Sequence, residues 1–204
     1  KMLTINHLSQ LWEKCQNLHI TERKSAIELI SKCFDFFDES ELQKFIEHLY
    51  EKKDESNDVH CLLSNAVIAI QHKESMKELS FDIINHLLDD IESVEAQEGI
   101  SMICSNMISS DIYKLIAHKI IYFICNDDLI DFTLDTTLKL IQKSNMADDI
   151  FNNHYINELI KLIQVDDEND FDNRRAIFQI LHALYKTTSL KPNSEIFHDI
   201  IEIK

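Results

Sequence analysis

Glycine and proline are almost missing from this chain: 204 residues hold one of each, Gly99 and Pro192. Average usage is roughly 7% glycine and 5% proline. Glycine-rich phosphate loops and nucleophile elbows need glycine at fixed points, so those devices are excluded. No apolar run reaches the ~18 residues a bilayer span needs. The longest candidate, Ile112 to Cys125, is interrupted by Lys114, His118 and Lys119. No secretory signal pattern stands at the amino terminus. The chain opens on Lys1 and ends inside the apolar pattern Ile196, Phe197, Ile200, Ile201. The expectation is a single domain, residues 1–204, excised from a longer protein.

Positive charge is also scarce: 20 Lys/Arg stand against 36 Asp/Glu, for a net charge of −16. An acidic surface repels phosphate backbones, so direct nucleic-acid binding is disfavoured. The imbalance is local. Residues 1–53 hold 8 basic against 9 acidic side chains, whereas residues 127–172 hold 3 against 12. The acidic half reads either as a docking face for a basic partner segment or as a solvated face that maintains solubility. The five cysteines (Cys15, Cys33, Cys61, Cys104, Cys125) are odd in number and widely spaced. They read as buried thiols of an intracellular, reducing compartment, cytoplasm or nucleus.

What is abundant is apolar residues at three- and four-residue spacing, with no strand-like alternation. The pattern predicts an all-α protein of about ten or eleven helices. The first carries Leu8, Leu11, Trp12 and Cys15, with Trp12 buried. The second runs from Ala26 to Phe37. Asp38 with Glu41 caps a third through Leu49. A fourth spans Val59 to Gln71, and Ser75 with Glu78 caps a fifth. A sixth follows Ser93, a seventh runs from Ser110 or Asp111 to Ile124, and Asp127 caps an eighth. A ninth spans Ala147 to Ile163 and a tenth Asp172 to Lys186; Ser194 caps an eleventh. Paired helices of this length make a unit of about 35–40 residues, the period of stacked helical repeats. Ala26, Cys61, Gly99, Thr137 and Ala176 place a small residue in every second helix, at spacings of 35, 38, 38 and 39. A compact helical bundle is the alternative architecture.

Residues 155–186, YINELIKLIQVDDENDFDNRRAIFQILHALYK, resemble part of an armadillo or HEAT repeat: a helix with paired leucines, a short acidic turn, and a helix opening on a polar-Ala segment. The resemblance implies an interaction scaffold of stacked antiparallel helices. In armadillo repeats the final helix lines a groove with a tryptophan and an asparagine four residues apart. The matching positions here are Phe178 and His182, with Arg174 one turn earlier. The equivalent points of the sixth helix are Ser101 and Ser105.

Chemistry-bearing clusters are few. Cys15 and His19 stand four apart, without the further ligands zinc requires. The acidic run from Asp166 lacks the glycine and glutamate of a calcium loop, placing Phe171 and Ile177 there. Cys125 could meet His118 or His154, although its place at the end of an apolar helix reads as core. No metal, cofactor or catalytic residue is expected. Arg174 and Arg175 read either as a carboxylate anchor for a partner or as neutralisation of the acidic turn before them. Phe178 reads as core before it reads as groove anchor. The candidate partner-binding residues are therefore Arg174, Arg175, Phe178 and His182. The expected function is a non-catalytic protein-interaction scaffold for a protein or peptide, basic in character, with a helical assembly domain that self-associates as the alternative.

Overall fold

Three helix starts are set by side chains that satisfy exposed backbone amides. Asp38 Oδ1 accepts from Glu41 N at 2.9 Å. Ser93 Oγ accepts from Ala96 N at 3.1 Å, and Asn152 Oδ1 accepts from His154 N at 3.0 Å and Tyr155 N at 3.1 Å. Each such cap stabilises its helix by about 1 kcal/mol. The computed structural model describes residues 4–15, 18–54, 56, 58–106, 109–143, 151–165 and 171–187. Among these it is all-helical, with ten α-helices and no strand. The contacts gather into two compact units, Lys1–Ile108 and Ser109–Lys204.

The first unit holds α1 (Ile5–Cys15), α2 (Ile20–Lys32), α3 (Glu39–Glu51), α4 (Asp58–Ile70), α5 (Lys77–Asp89) and α6 (Val94–Asn106). Its centre is α4, against which α2, α3, α5 and α6 all pack. Val59, Leu62, Leu63, Ala66, Val67 and Ile70 are buried along one side of this helix, and no residue of Asp58–Ile70 is exposed. A helix this apolar is stable only when neighbours cover it. Trp12 is 1% exposed, as the first-helix spacing predicts. Burying a large side chain of this kind contributes about 1.5–3 kcal/mol. Gly99 lies buried mid-helix on α6, and its use is close approach, not a turn. A Cβ added there would run into Ser64 Oγ of α4, which donates to His60 O at 2.7 Å.

The second unit holds α7 (Ser110–Ile120), α8 (Ile130–Gln142), α9 (Asn153–Val165) and α10 (Phe171–Thr187). α8 packs on α7 and α10, and α9 packs on α10. A 3-10 segment, Ile121–Cys125, touches all four helices and buries Ile121 and Ile124. The small residues expected in every second helix fall on α2, α4, α6, α8 and α10. Gly99, Thr137 and Ala176 are buried, and Ala26 and Cys61 are half-buried. In the first unit α2 packs on α4 and α4 on α6; in the second α8 packs on α10.

Several boundaries differ from the periodicity. The second helix stops at Lys32, and Phe34–Phe36 form a 3-10 turn that buries Phe34 and leaves Phe36 81% exposed. Ser75 does not cap α5; it lies in the 3-10 turn Glu74–Met76 and donates to the Glu39 carboxylate. The seventh helix tightens to 3-10 geometry at Ile121, which rotates each residue by about 120° instead of 100°. That change of register turns Cys125 outward, so the expected core thiol is exposed. The eighth starts at Ile130, three residues beyond the expected Asp127 cap, after Asn126 Oδ1 has accepted from Asp128 N at 3.1 Å. The start of the ninth at Ala147, the acidic turn 166–170, Pro192 and the Ser194 helix lie outside the described residues.

Candidate functional site

The two faces of α10 carry different chemistry. Asn173, Ala176, Ile177, Ile180 and Leu184 are buried and recur at three- and four-residue spacing, so they form the stripe that faces the core. Phe171, Phe178 and Tyr185 stand seven residues apart, within about 40° of one another on a helix of 3.6 residues per turn. They lie roughly opposite the buried stripe, and they are 76%, 38% and 57% exposed. Three of the large apolar side chains exposed among the described residues thus share one ridge.

The sequence-predicted residues sit on and beside this ridge. His182 is exposed between Phe178 and Tyr185, Arg175 is exposed on one flank, and Arg174 is half-buried on the other. Phe178 is not in the core, against the expectation that an aromatic at helical spacing packs inward. Its register falls on the solvent side of α10, where the core stripe has already passed to Ile177 and Ile180. Arg175 lines a groove of about 370 Å³ together with Asp127 and Asp131, Ile130 and Leu134 of the α8 region, and Asp172, Ala176 and Gln179 of α10. Among the described residues no carboxylate forms an ion pair with Arg175. The groove is thus lined by three carboxylates, one guanidinium and the Gln179 amide, beside Ile130, Leu134 and Ala176. Phe171 and Tyr185 are not among the sequence-predicted residues, although their seven-residue spacing to Phe178 is legible in the sequence.

A second polar site lies in the first unit. His60 of α4 is only 2% exposed, yet it lines a cavity of about 380 Å³ with Lys53, Asp54, His86, Asp89 and Asp90. His60 Nε2 lies 3.3 Å from Asp90 Oδ2, and Ser93 Oγ is 3.5 Å from His60 Nδ1. The His60 and His86 rings are tilted at 5.3 Å, and Tyr50 meets His86 edge-on at 6.1 Å. Burial holds both imidazoles below the usual histidine range; the carboxylates of Asp90, Glu95 and Asp54 oppose that shift at His60. Periodicity gave no signal for this pair, because its partners come from different helices.

In the second unit the His118 and His154 rings lie 6.2 Å apart, and His118 meets the Tyr155 ring at 5.6 Å. Burial, then His154, then Lys114 lower the His118 titration. Burial pushes the Tyr155 phenol far above its usual range. It also raises the thiols of Cys15 and Cys61, which leaves them poor nucleophiles. No disulfide joins the cysteines. Cys15 is buried at the end of α1 whereas His19 is exposed before α2, so the two do not form a common ligand face. Among the described residues no group of three His, Cys, Asp or Glu side chains is arranged to hold a metal ion, and no helix is long and apolar enough to cross a membrane. No protein-family model, curated protein or solved structure matches the chain.

Proposed function

We propose that this chain is a non-catalytic interaction domain of stacked helices, of the armadillo or HEAT kind, that holds a partner protein along the outer face of α10. The observation that carries the reading is the aromatic ridge of Phe171, Phe178 and Tyr185, turned away from the core stripe of the same helix. Solvent-facing aromatics cost solubility and add nothing to the core. As interface anchors they supply large contact area at a small entropy loss, which is why aromatics and arginine dominate binding hot spots. His182 and Arg175 provide directional polar contacts on the flank, and a guanidinium binds a partner carboxylate with two parallel hydrogen bonds. The packing of α2 on α4 and of α4 on α6 supports the stacked arrangement.

The reading is tested with the full 204-residue chain immobilised and exposed to cell extract, beside an Arg175→Ala, His182→Ala double variant. The expected result is a stoichiometric protein retained by the first and depleted on the second, with melting temperatures that agree. Surface substitutions of this kind leave stability within about 0.5 kcal/mol. Equal retention by both, or retention and stability lost together, would overturn the assignment. Retention of nothing but the chain itself, with a dimer in sedimentation, would replace it by self-assembly.

A further inference from the structure

The partner's chemistry can be read from the ground around the ridge, an inference that rests on α10 being the docking face. We infer that the occupant of this face is a basic amphipathic helix: an apolar seam laid along Phe171, Phe178 and Tyr185, with lysines or arginines on one flank entering the groove between α8 and α10. Three observations converge on that occupant.

The first is length and spacing. The ridge rises over fourteen residues of α10 in two seven-residue steps, or about 21 Å at 1.5 Å per residue. That matches about four turns of a docked helix, whose own apolar residues at heptad spacing pack as knobs between the aromatic rings. The second is local charge. Asp127, Asp131 and Asp172 line the groove with Arg175 as its one cation among the described residues, so the flank is net negative and favours ammonium or guanidinium groups. The third is the ring faces. Phe171 and Tyr185 are more than half exposed, and cations settle over exposed aromatic faces. Long-range steering acts in the same direction, since a chain of net charge −16 draws basic segments toward it and repels acidic ones. The same charge disfavours a second copy of this chain as the occupant.

The roles then divide. The ridge supplies affinity through desolvated area, and the groove supplies register and sign selection. Arg175, which lines the groove beside its carboxylates, acts as a negative selector: it tolerates a partner carboxylate at one position and rejects a lysine placed there.

Two synthetic helices of about three heptads each test the inference, with the same leucine seam and flanked by lysine in one and glutamate in the other. Their binding to the full chain is followed by fluorescence anisotropy at physiological ionic strength. The lysine helix is expected to bind at least about tenfold tighter than the glutamate helix. Asp131→Asn with Asp172→Asn should weaken the lysine helix by about tenfold, as should Phe178→Ala. The matched control, Glu74→Gln with Glu78→Gln on the exposed surface of the first unit, should leave binding unchanged. If both helices bind equally and both depend on Phe178, the docking face stands and its basic occupant is wrong. If the control pair costs as much as the groove pair, the attraction is diffuse charge and the groove is not a site. If the lysine helix ignores Phe178→Ala, the docking face itself is wrong. A dimer that Phe178→Ala abolishes would identify a second copy as the occupant.

Discussion

Each unit brings two imidazoles together, but the two present their surfaces differently. Buried His60 meets half-buried His86 at 5.3 Å in the first, and half-buried His118 meets exposed His154 at 6.2 Å in the second. In the first unit carboxylates surround the pair, and Asp90 Oδ2 sits 3.3 Å from His60 Nε2. In the second the neighbours are Tyr155 and Lys114, and among the described residues no carboxylate offsets the burial of His118. The first unit thus roots its richest polar cluster in one buried imidazole, His60, within a cavity rimmed by exposed carboxylates. The second turns its richest chemistry outward, as aromatics and cations on the far side of α10. A cluster rooted in a buried imidazole is bound up with stability, whereas an outward ridge meets solvent. That distinction, more than residue type, separates structural polar groups from candidate recognition groups.

The largest expected effect breaks the first unit alone. Gly99→Leu forces a side chain against Ser64 where α6 meets α4. The expected destabilisation is about 3 kcal/mol, at the upper end for overpacking. Hydrogen exchange should report lost protection from α2 to α6 while α7 to α10 keep theirs. Uniform loss across both units would erase the contrast between them.

Acidification sharpens the comparison next. Burial holds His60, His86 and His118 below the ordinary histidine value of 6.5. As pH falls below 6.5, the unfolded chain therefore takes up protons first. Stability is fully present above that value and is lost as pH falls through the folded-state titrations. The melting temperature should drop between pH of about 7.5 and 5.5. The ring resonances of His60, His86 and His118 should titrate below 6.5, and Asp90→Asn should move His60 further down without moving His118. A His60 titration above 6.5, or one indifferent to Asp90→Asn, would contradict the geometry.

The smallest effect concerns α8. Thr133 and Thr136 are buried, and their hydroxyls have no hydrogen-bond partner among the described residues. Replacing Thr136 by Val removes an unsatisfied hydroxyl while keeping its shape, so stability should rise by about 1 kcal/mol in a urea titration. A loss of that size would mean the hydroxyl is satisfied in solution.

Helical class and most helix positions were legible in the sequence, because amphipathic spacing and caps are local. Asp38 with Glu41 marks the start of α3 three residues apart, and Trp12 lies on the buried side of a short, regular pattern. Legibility ended where local geometry changed or where distant segments met. The tightening at Ile121 altered residue register by a few tens of degrees, enough to expose Cys125. Phe178 fits an apolar period as well as Ile177 does, and only the packing of α10 decides which faces inward. The candidate residues Arg174, Arg175 and His182 could be named from one helix. The acidic wall opposite Arg175 could not, since Asp127 and Asp131 precede it by more than forty positions. His60 and His86 likewise join through tertiary contact that no spacing announces.

The central claim is that α10 has one face for folding and another for binding. The most direct measurement compares Phe178→Ala/Tyr185→Ala with Ile180→Ala on the same helix, reading both unfolding free energy and retention of a stoichiometric partner from extract. The account predicts that the ridge variant loses the partner at unchanged stability, while Ile180→Ala loses about 2–5 kcal/mol and keeps the partner below its melting temperature. Full retention by the ridge variant, or a stability loss as large as that of Ile180→Ala, would contradict it.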